Sequence, residues 1–278
     1  MGDWRIGYYE SFIPKIKARH KKMLGRDCNL DNPLRLTDKL EWLKVYDSTF
    51  LKTFCSDKIT VREYARDILG VDISIPILGI YDNFDDIDFS VLPSDYVIKT
   101  NHGSHTNVIV RNGNIDIDAA RVKFNNWMSR DWSWWGYEFH YIPIPRKIYI
   151  EPFMSCDGGR SLIDYKFWCF NGAPKFFTIN GDNGHGGINY YNMDGSLMPV
   201  SNNAAPADKE ACWEIPNTFE LMREYSVRLS KPFKFVRVDF YEISGKCLLG
   251  ELTFIPGAGY IQYTPDSADY SIGSLLTL

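Results

Sequence analysis

The chain has no excess of positive charge. Its 31 lysines and arginines face 35 acidic side chains, for a net charge of −4, which argues against nucleic acid as the main partner. No apolar run approaches the roughly 18 residues that cross a bilayer. The opening MGDWRIGYYESFIPKIK holds no apolar stretch of signal-peptide length. Ile6 stands where N-myristoylation favours Ser or Thr. These absences predict a cytoplasmic protein. Cys28, Cys55, Cys156, Cys169, Cys212 and Cys247 include no Cys-x-x-Cys pair, so the sequence predicts reduced core thiols, not disulfides or a zinc framework. The histidines lack metal-binding spacing apart from His102 and His105. Internal repeats and low-complexity segments are also missing.

What is present is an ordinary globular composition, 45% hydrophobic and 24% charged, long enough for one large domain or several lobes. Residues 1–72 read as mostly helical. The stretch 8–24 is helical and basic on one side, with Pro14 breaking or starting the main helix. LTDKLEWLKVYD (36–47) offers Thr37 as a cap, and SDKITVREYARDILG (56–70) offers Ser56 or Asp57, with Gly70 as its stop. The pattern then changes to strands at 75–82, 95–101, 107–113 and 146–154, with helices over 117–129 and within 129–141. Hairpins follow at 161–181, around Asn171-Gly172, and between RVDFYE and KCLLGELTF, around Ser244-Gly245. A helix over 217–230, capped by Asn217, lies between them, and 182–216 reads as a long mobile loop. Helices beside hairpin-rich sheets predict an α+β fold.

Two acids in the last hairpin carry the first chemical signal. On strands joined by a short turn, Asp239 and Glu251 lie side by side, about 5 Å apart. One face would then carry Arg237, Asp239 and Tyr241, opposite Leu249, Glu251 and Thr253. Adjacent carboxylates repel unless a cation joins them. Hard oxygens on a rigid hairpin suit Mg²⁺; a plain ion pair of Arg237 with one acid fits the same residues.

Other signals are individually weaker. Lys99 ends an apolar strand before the loop His102-Gly103-Ser104-His105-Thr106, which could cradle phosphate or be an ordinary hairpin turn. The order is not that of Gly-x4-Gly-Lys-Ser/Thr. Lys58 in the first turn of its helix would oppose the helix dipole, which a bound anion would relieve. Glu151, before Pro152 and Phe153, and Asp164 could hold a ribose hydroxyl. Asp86-Ile87-Asp88 and Asp116-Ile117-Asp118 match the Asp-x-Asp of nucleotide-sugar glycosyltransferases. The cluster Trp127, Trp132, Trp134, Trp135 and Tyr137 is either core or a sugar platform.

Taken in order, DK…REYA, VIK with its Gly/Ser loop, IYIEPF, DYKFWCFNG and RVDFYE…GELTFIPGAG resemble the ATP-grasp superfamily over residues 36–260, most closely its TupA-like, teichuronopeptide-biosynthesis branch. The resemblance implies a nucleotide clamped between two α+β lobes, 73–150 and 151–278, behind the helical 1–72. It implies ATP and Mg²⁺, with two ions. Lys58, Lys99, Gly103, Ser104 and His105 would meet the phosphates. Glu151, Pro152 and Phe153 would form the adenine hinge, Asp164 would bind ribose, and Lys166 would also touch the nucleotide. Asp239, Glu251 and Thr253 would hold metal, with Arg237 and Lys99 as catalytic cations. Thr253 replaces the usual Asn, and His105 stands where Gly would free the loop. The implied activity joins a carboxylate to an amine through an acyl phosphate, with a uronic acid of a bacterial surface polysaccharide as acceptor. A kinase on the same scaffold, a glycosyltransferase and a non-catalytic ATP-binding module are the competing expectations.

Overall fold

In the computed structural model the described residues are 4–155, 162–180, 187–203 and 215–278. Cys156, Cys212 and His185 lie outside them. In chain order the elements are α1 (Trp4–Glu10), α2 (Ile13–Leu24), α3 (Leu36–Tyr46), α4 (Phe50–Ser56), α5 (Val61–Leu69), β1 (Gly79–Tyr81), β2 (Tyr96–Thr100), β3 (Asn107–Val110), α6 (Ile117–Ser129) and α7 (Ser133–Gly136). They continue as β4 (Ile148–Pro152), β5 (Asp164–Phe170), β6 (Ala173–Asn180), β7 (Ile188–Asn192), β8 (Ser201–Asn202), α8 (Phe219–Ser230), β9 (Phe235–Ile243), β10 (Lys246–Thr253), β11 (Tyr263–Thr264) and α9 (Ser267–Gly273). The fold is α+β, with antiparallel sheets.

A four-stranded sheet has the order β1-β4-β2-β3 and a five-stranded sheet the order β10-β9-β5-β6-β7. Phe84, Tyr96, Ile98, Val110, Phe124, Ile148 and Ile150 bury the face of the first sheet that α6 covers. Alternation along β5 and β9 gives the second sheet its larger core. Phe167, Val238 and Phe240 are fully buried, and the Phe167 ring meets Phe219 of α8 at 5.4 Å. A period of two sends every other residue to the opposite face, which is where Lys166, Arg237, Asp239 and Tyr241 lie.

Several local expectations are corrected. Residues 56–70 are not one helix: Asp57 is extended (φ −71°, ψ 118°) and ends α4, and its carboxylate accepts the Ile59 N–H at 2.8 Å. Lys58 therefore sits in the turn before α5, outside the first helical turn, and the expected clash with a helix dipole does not arise there. Thr37 does not cap α3. The extended backbone of Arg35 marks that end, and Thr37 donates its N–H and hydroxyl to Asp269 of α9 at 3.0 and 2.6 Å. At α8 the flanking residue is Thr218, not Asn217; its N–H and hydroxyl donate to Glu242 at 2.8 and 2.6 Å. The strand expected over 75–82 is only β1, and the stretch 182–216 contributes β7 to the sheet edge, with Tyr190 buried at 1% exposure. Glu151 and Pro152 pair with Val97 and Tyr96, so the first sheet runs to Pro152, past the expected division at 150/151.

Candidate functional site

The cleft between the two sheets is built from both. In register, Glu251 faces Asp239 and Thr253 faces Arg237, and a bulge at Gly250 shifts the pairing so that Leu249 faces Phe240. One extra residue in a strand reverses its later alternation. Leu249 thus belongs to the core side with Phe240, not to the face of Glu251 and Thr253 as simple alternation suggests.

Asp239 is 1% exposed and is bound by residues of its own strand and of the strand beside it. Arg237 Nε and Nη2 donate to its two oxygens at 2.7 and 2.6 Å, and Lys166 Nζ, on β5, donates at 3.0 Å. Such a forked pair fixes the carboxylate plane as well as its charge. Arg237 Nη2 also reaches Glu251 Oε1 at 3.3 Å and Thr253 Oγ1 at 3.1 Å. The Thr253 hydroxyl in turn donates to Glu251 at 2.8 Å. Thr253 therefore bridges an arginine and a carboxylate.

The Glu251 side chain is 36% exposed, and its other oxygen lies 3.4 Å from Lys58 Nζ. Burial alone would raise the Glu251 pKa. Lys58, Arg237 and Lys166 outweigh burial and hold it well below the carboxylate range. Asp164 differs: burial raises its pKa, Lys166 opposes that, and Asp239 and Glu251 reinforce it. Its link is a 3.3 Å contact with Lys166.

The first sheet supplies a second charged set. Glu151, on β4, receives Lys99 Nζ of β2 at 2.5 Å and the guanidinium of Arg62 from α5. Arg62 is a residue that the sequence reading missed. Its spacing of four from Lys58 was the available signal, since residues about four apart share a helix face, but the break before α5 takes Lys58 out of that helix.

A cavity of about 210 Å³ lies between the two sets. Of the expected site residues, Lys58, Lys99, Gly103, His105, Glu151, Asp164, Lys166, Asp239 and Glu251 line it. Arg237 and Thr253 stand behind the two hairpin acids. Ser104 is exposed and does not line the cavity, nor do Pro152 and Phe153. Phe153 instead lies under Arg111, whose guanidinium is 4.1 Å from the ring centre.

The loop after β2 is closed at its base by a hydroxyl pair, Thr100 Oγ1 to Thr106 Oγ1, at 2.6 Å. A Cβ on Gly103 would stand 2.8 and 2.9 Å from Oγ1 and Cγ2 of Thr106, so glycine is needed for close approach. His105 adopts φ 56°, a left-handed conformation that costs a side-chain-bearing residue roughly 1–2 kcal/mol. His102 turns into the protein and is 4% exposed. Burial, then Arg146, lowers its pKa to about 4.

The Asp-x-Asp motifs serve local structure. Asp88 caps a short helical turn through the Ser90 N–H at 3.0 Å, and Asp116 caps α6 through the Ala119 N–H at 2.9 Å. Asp86 accepts from Asn83 at 3.0 Å, and Asp118 pairs with Arg121. The aromatic cluster is divided: Trp127 packs edge-on against Phe124 at 5.0 Å, Trp134 lies near Phe12, and Trp135 is 54% exposed.

Fold and cleft together define an α+β protein of the ATP-grasp class. More narrowly, the family described as TupA-like ATPgrasp matches residues 38–277, and the chain belongs to that family. Among solved structures, D-alanine-D-alanine ligase from Helicobacter pylori is similar at 14% identity and a TM-score of 0.43, over 74% of this chain and 53% of that one. N5-carboxyaminoimidazole ribonucleotide synthetase from Thermus thermophilus is similar at 13% identity and a TM-score of 0.37, over 80% of this chain and 48% of that one. The ATP-grasp ligase PsnB, complexed with minimal precursor, is similar at 10% identity and a TM-score of 0.40, over 73% of this chain and 53% of that one. This chain spans about half the length of these structures. No curated protein matches it. Among the described residues, no helix is long and apolar enough to cross a membrane.

Proposed function

We propose that this chain is an ATP- and Mg²⁺-dependent ligase that joins a carboxylate to an amine through an acyl phosphate. The observation that carries this reading is the meeting of two charged sets across one cleft, with Lys58 reaching Glu251 at 3.4 Å. A triphosphate lying there would draw Lys58, Arg62 and Lys99 onto its oxygens, each as a point or forked charge. Gly103 would let the loop backbone approach the phosphates.

The donor set suits a hard divalent cation, since Glu251 presents a partly exposed carboxylate beside that of Asp239. Mg²⁺ held there would neutralise charge developing on the transferred phosphoryl group. Arg237 and Lys166 orient the Asp239 carboxylate, and Thr253 orients Glu251. Asp164 shares Lys166 with Asp239, so we assign it to the hairpin side of the cleft together with the ribose contact expected of it.

In the reaction the acceptor carboxylate oxygen attacks the γ-phosphorus and ADP leaves. The amine nitrogen then attacks the acyl carbon, phosphate departs, and one proton passes to solvent. Exclusion of water during the first step protects the acyl phosphate. The acceptor we propose is a uronic-acid carboxylate of a bacterial surface polysaccharide and the donor an amino acid or other amine, on cytoplasmic ATP. The support for these finer assignments is the resemblance to the teichuronopeptide branch.

The test is nucleotide turnover by the purified chain. ADP and phosphate should appear only with Mg²⁺, a carboxylate acceptor and an amine, together with an amide product. Absence of ATP binding at millimolar concentration would end the proposal. A stable phosphorylated product formed without any amine would replace it with a kinase.

A further inference from the structure

Away from the cleft, α2, the connection after it and α3 bring three metal-binding side chains together. His20 is fully buried, and Cys28 and Asp38 are 7% and 5% exposed. One ring nitrogen of His20, the Cys28 Sγ and a carboxylate oxygen of Asp38 all lie within 4.8 Å of one another. His20 Nε2 is 3.4 Å from Asp38 Oδ1 and makes no hydrogen bond. Ligand atoms about 2.0–2.3 Å from a tetrahedral zinc ion are themselves about 3.3–3.8 Å apart, so the three need only a small contraction.

The second ring nitrogen supplies an independent indication. His20 Nδ1 faces Glu41 Oε1 at 3.4 Å, and Glu41 is anchored by Lys44 at 2.7 Å. A carboxylate behind the non-ligating nitrogen fixes the tautomer and orientation of metal-binding histidines. We propose that His20, Cys28 and Asp38 bind a thiophilic divalent cation of the zinc class, which fastens α2 and its following connection to α3.

Charge agrees with this assignment. Glu41 is met by Lys44, Asp269 by Arg26 at 2.9 Å, and Asp266 by Arg35 at 2.6 Å. A neutral imidazole, a thiolate and the Asp38 carboxylate then offset a 2+ ion. Arg26 Nη1 also donates to Asp38 Oδ1 at 3.0 Å and keeps its place as an outer partner of that ligand. As the sulfur–metal bond forms, the thiol proton passes to buffer and no electron is transferred. Three protein ligands leave one tetrahedral position to water.

Cobalt titration of the metal-stripped full chain, in excess Mg²⁺, tests the site. We expect one equivalent of Co²⁺ to give intense tetrahedral bands and a thiolate-to-cobalt charge-transfer band, both displaced by Zn²⁺. Cys28→Ser should abolish the charge-transfer band, and His20→Gln, which retains the thiol, should weaken cobalt binding about tenfold or more. The wild-type spectrum is informative whether or not either variant folds. Absence of the charge-transfer band in the wild type, or its survival in Cys28→Ser, overturns the proposal.

Discussion

Lys58 Nζ and Glu251 Oε2 stand 3.4 Å apart across the cleft, a turn between helices touching the far hairpin of the second sheet. The contact joins the cationic and acidic halves of the proposed site, and Glu251 also receives Arg237 and Thr253.

Glu251→Gln should therefore act on both function and stability. The amide keeps the shape and the Thr253 bond but gives up the charge. Turnover of the proposed ligation should fall on the order of 100-fold, with a higher Mg²⁺ requirement, and Tm at neutral pH should fall as well, because the cations that hold the Glu251 pKa down lose their partner. Mg²⁺ titrations of ADP release beside thermal melts provide the check. An unchanged Mg²⁺ requirement would remove Glu251 from the metal site.

Gly103→Ala should strain the loop after β2, because the new methyl group would meet Thr106. We expect a loss of about 1–3 kcal/mol and weaker ATP binding. Adding Thr106→Ala removes both of the nearest atoms, so the double variant should lose less than the two single variants summed. Urea melts of all four proteins measure the coupling, and strictly additive losses would show that the close approach carries no strain.

The pH dependence of stability should carry the mark of Glu138. Burial raises its pKa from 4.5 to about 7; Lys44 opposes the rise, and Glu41 and Glu251 add to it. Below the unfolded value both states hold the proton. Between that value and about 7 the unfolded chain has released a proton that the folded chain keeps, so this group makes stability fall as pH rises. Glu138→Gln removes that dependence. Its Tm relative to the wild type should be higher at pH 8 than at pH 4.5, and an equal difference at both would contradict the assignment.

The last hairpin was legible because alternation and a Ser-Gly turn are local properties. They give the hairpin but not its register at the acids: continued from the pair Ile243–Lys246, the strands would set Asp239 opposite Gly250, and only a bulge brings Glu251 opposite Asp239 and Thr253 opposite Arg237. The bulge at Gly250 was not legible, since it depends on where β10 must turn to meet Ile73, whose carbonyl accepts the Leu249 N–H at 2.8 Å. The helix break at Asp57 was hidden for a similar reason: Lys58 N–H donates to the Asn101 carbonyl, just past β2, at 3.2 Å, a contact no local preference announces. Thr37 reads as a cap from sequence because its hydroxyl partner, Asp269, lies near the other end of the chain. Arg62 became visible only once Glu151 was seen beside it.

The double engagement of Glu151 by Lys99 and Arg62 has a consequence for selectivity. An anion entering the cleft competes with a carboxylate that already holds both cations, so it must offer at least as much negative valence in the same span. Monoanions gain little from that exchange, whereas a chain of linked phosphates can engage both cations at once. In the proposed reading the cleft would thereby sort its visitors by charge density before any contact with a base or sugar is made.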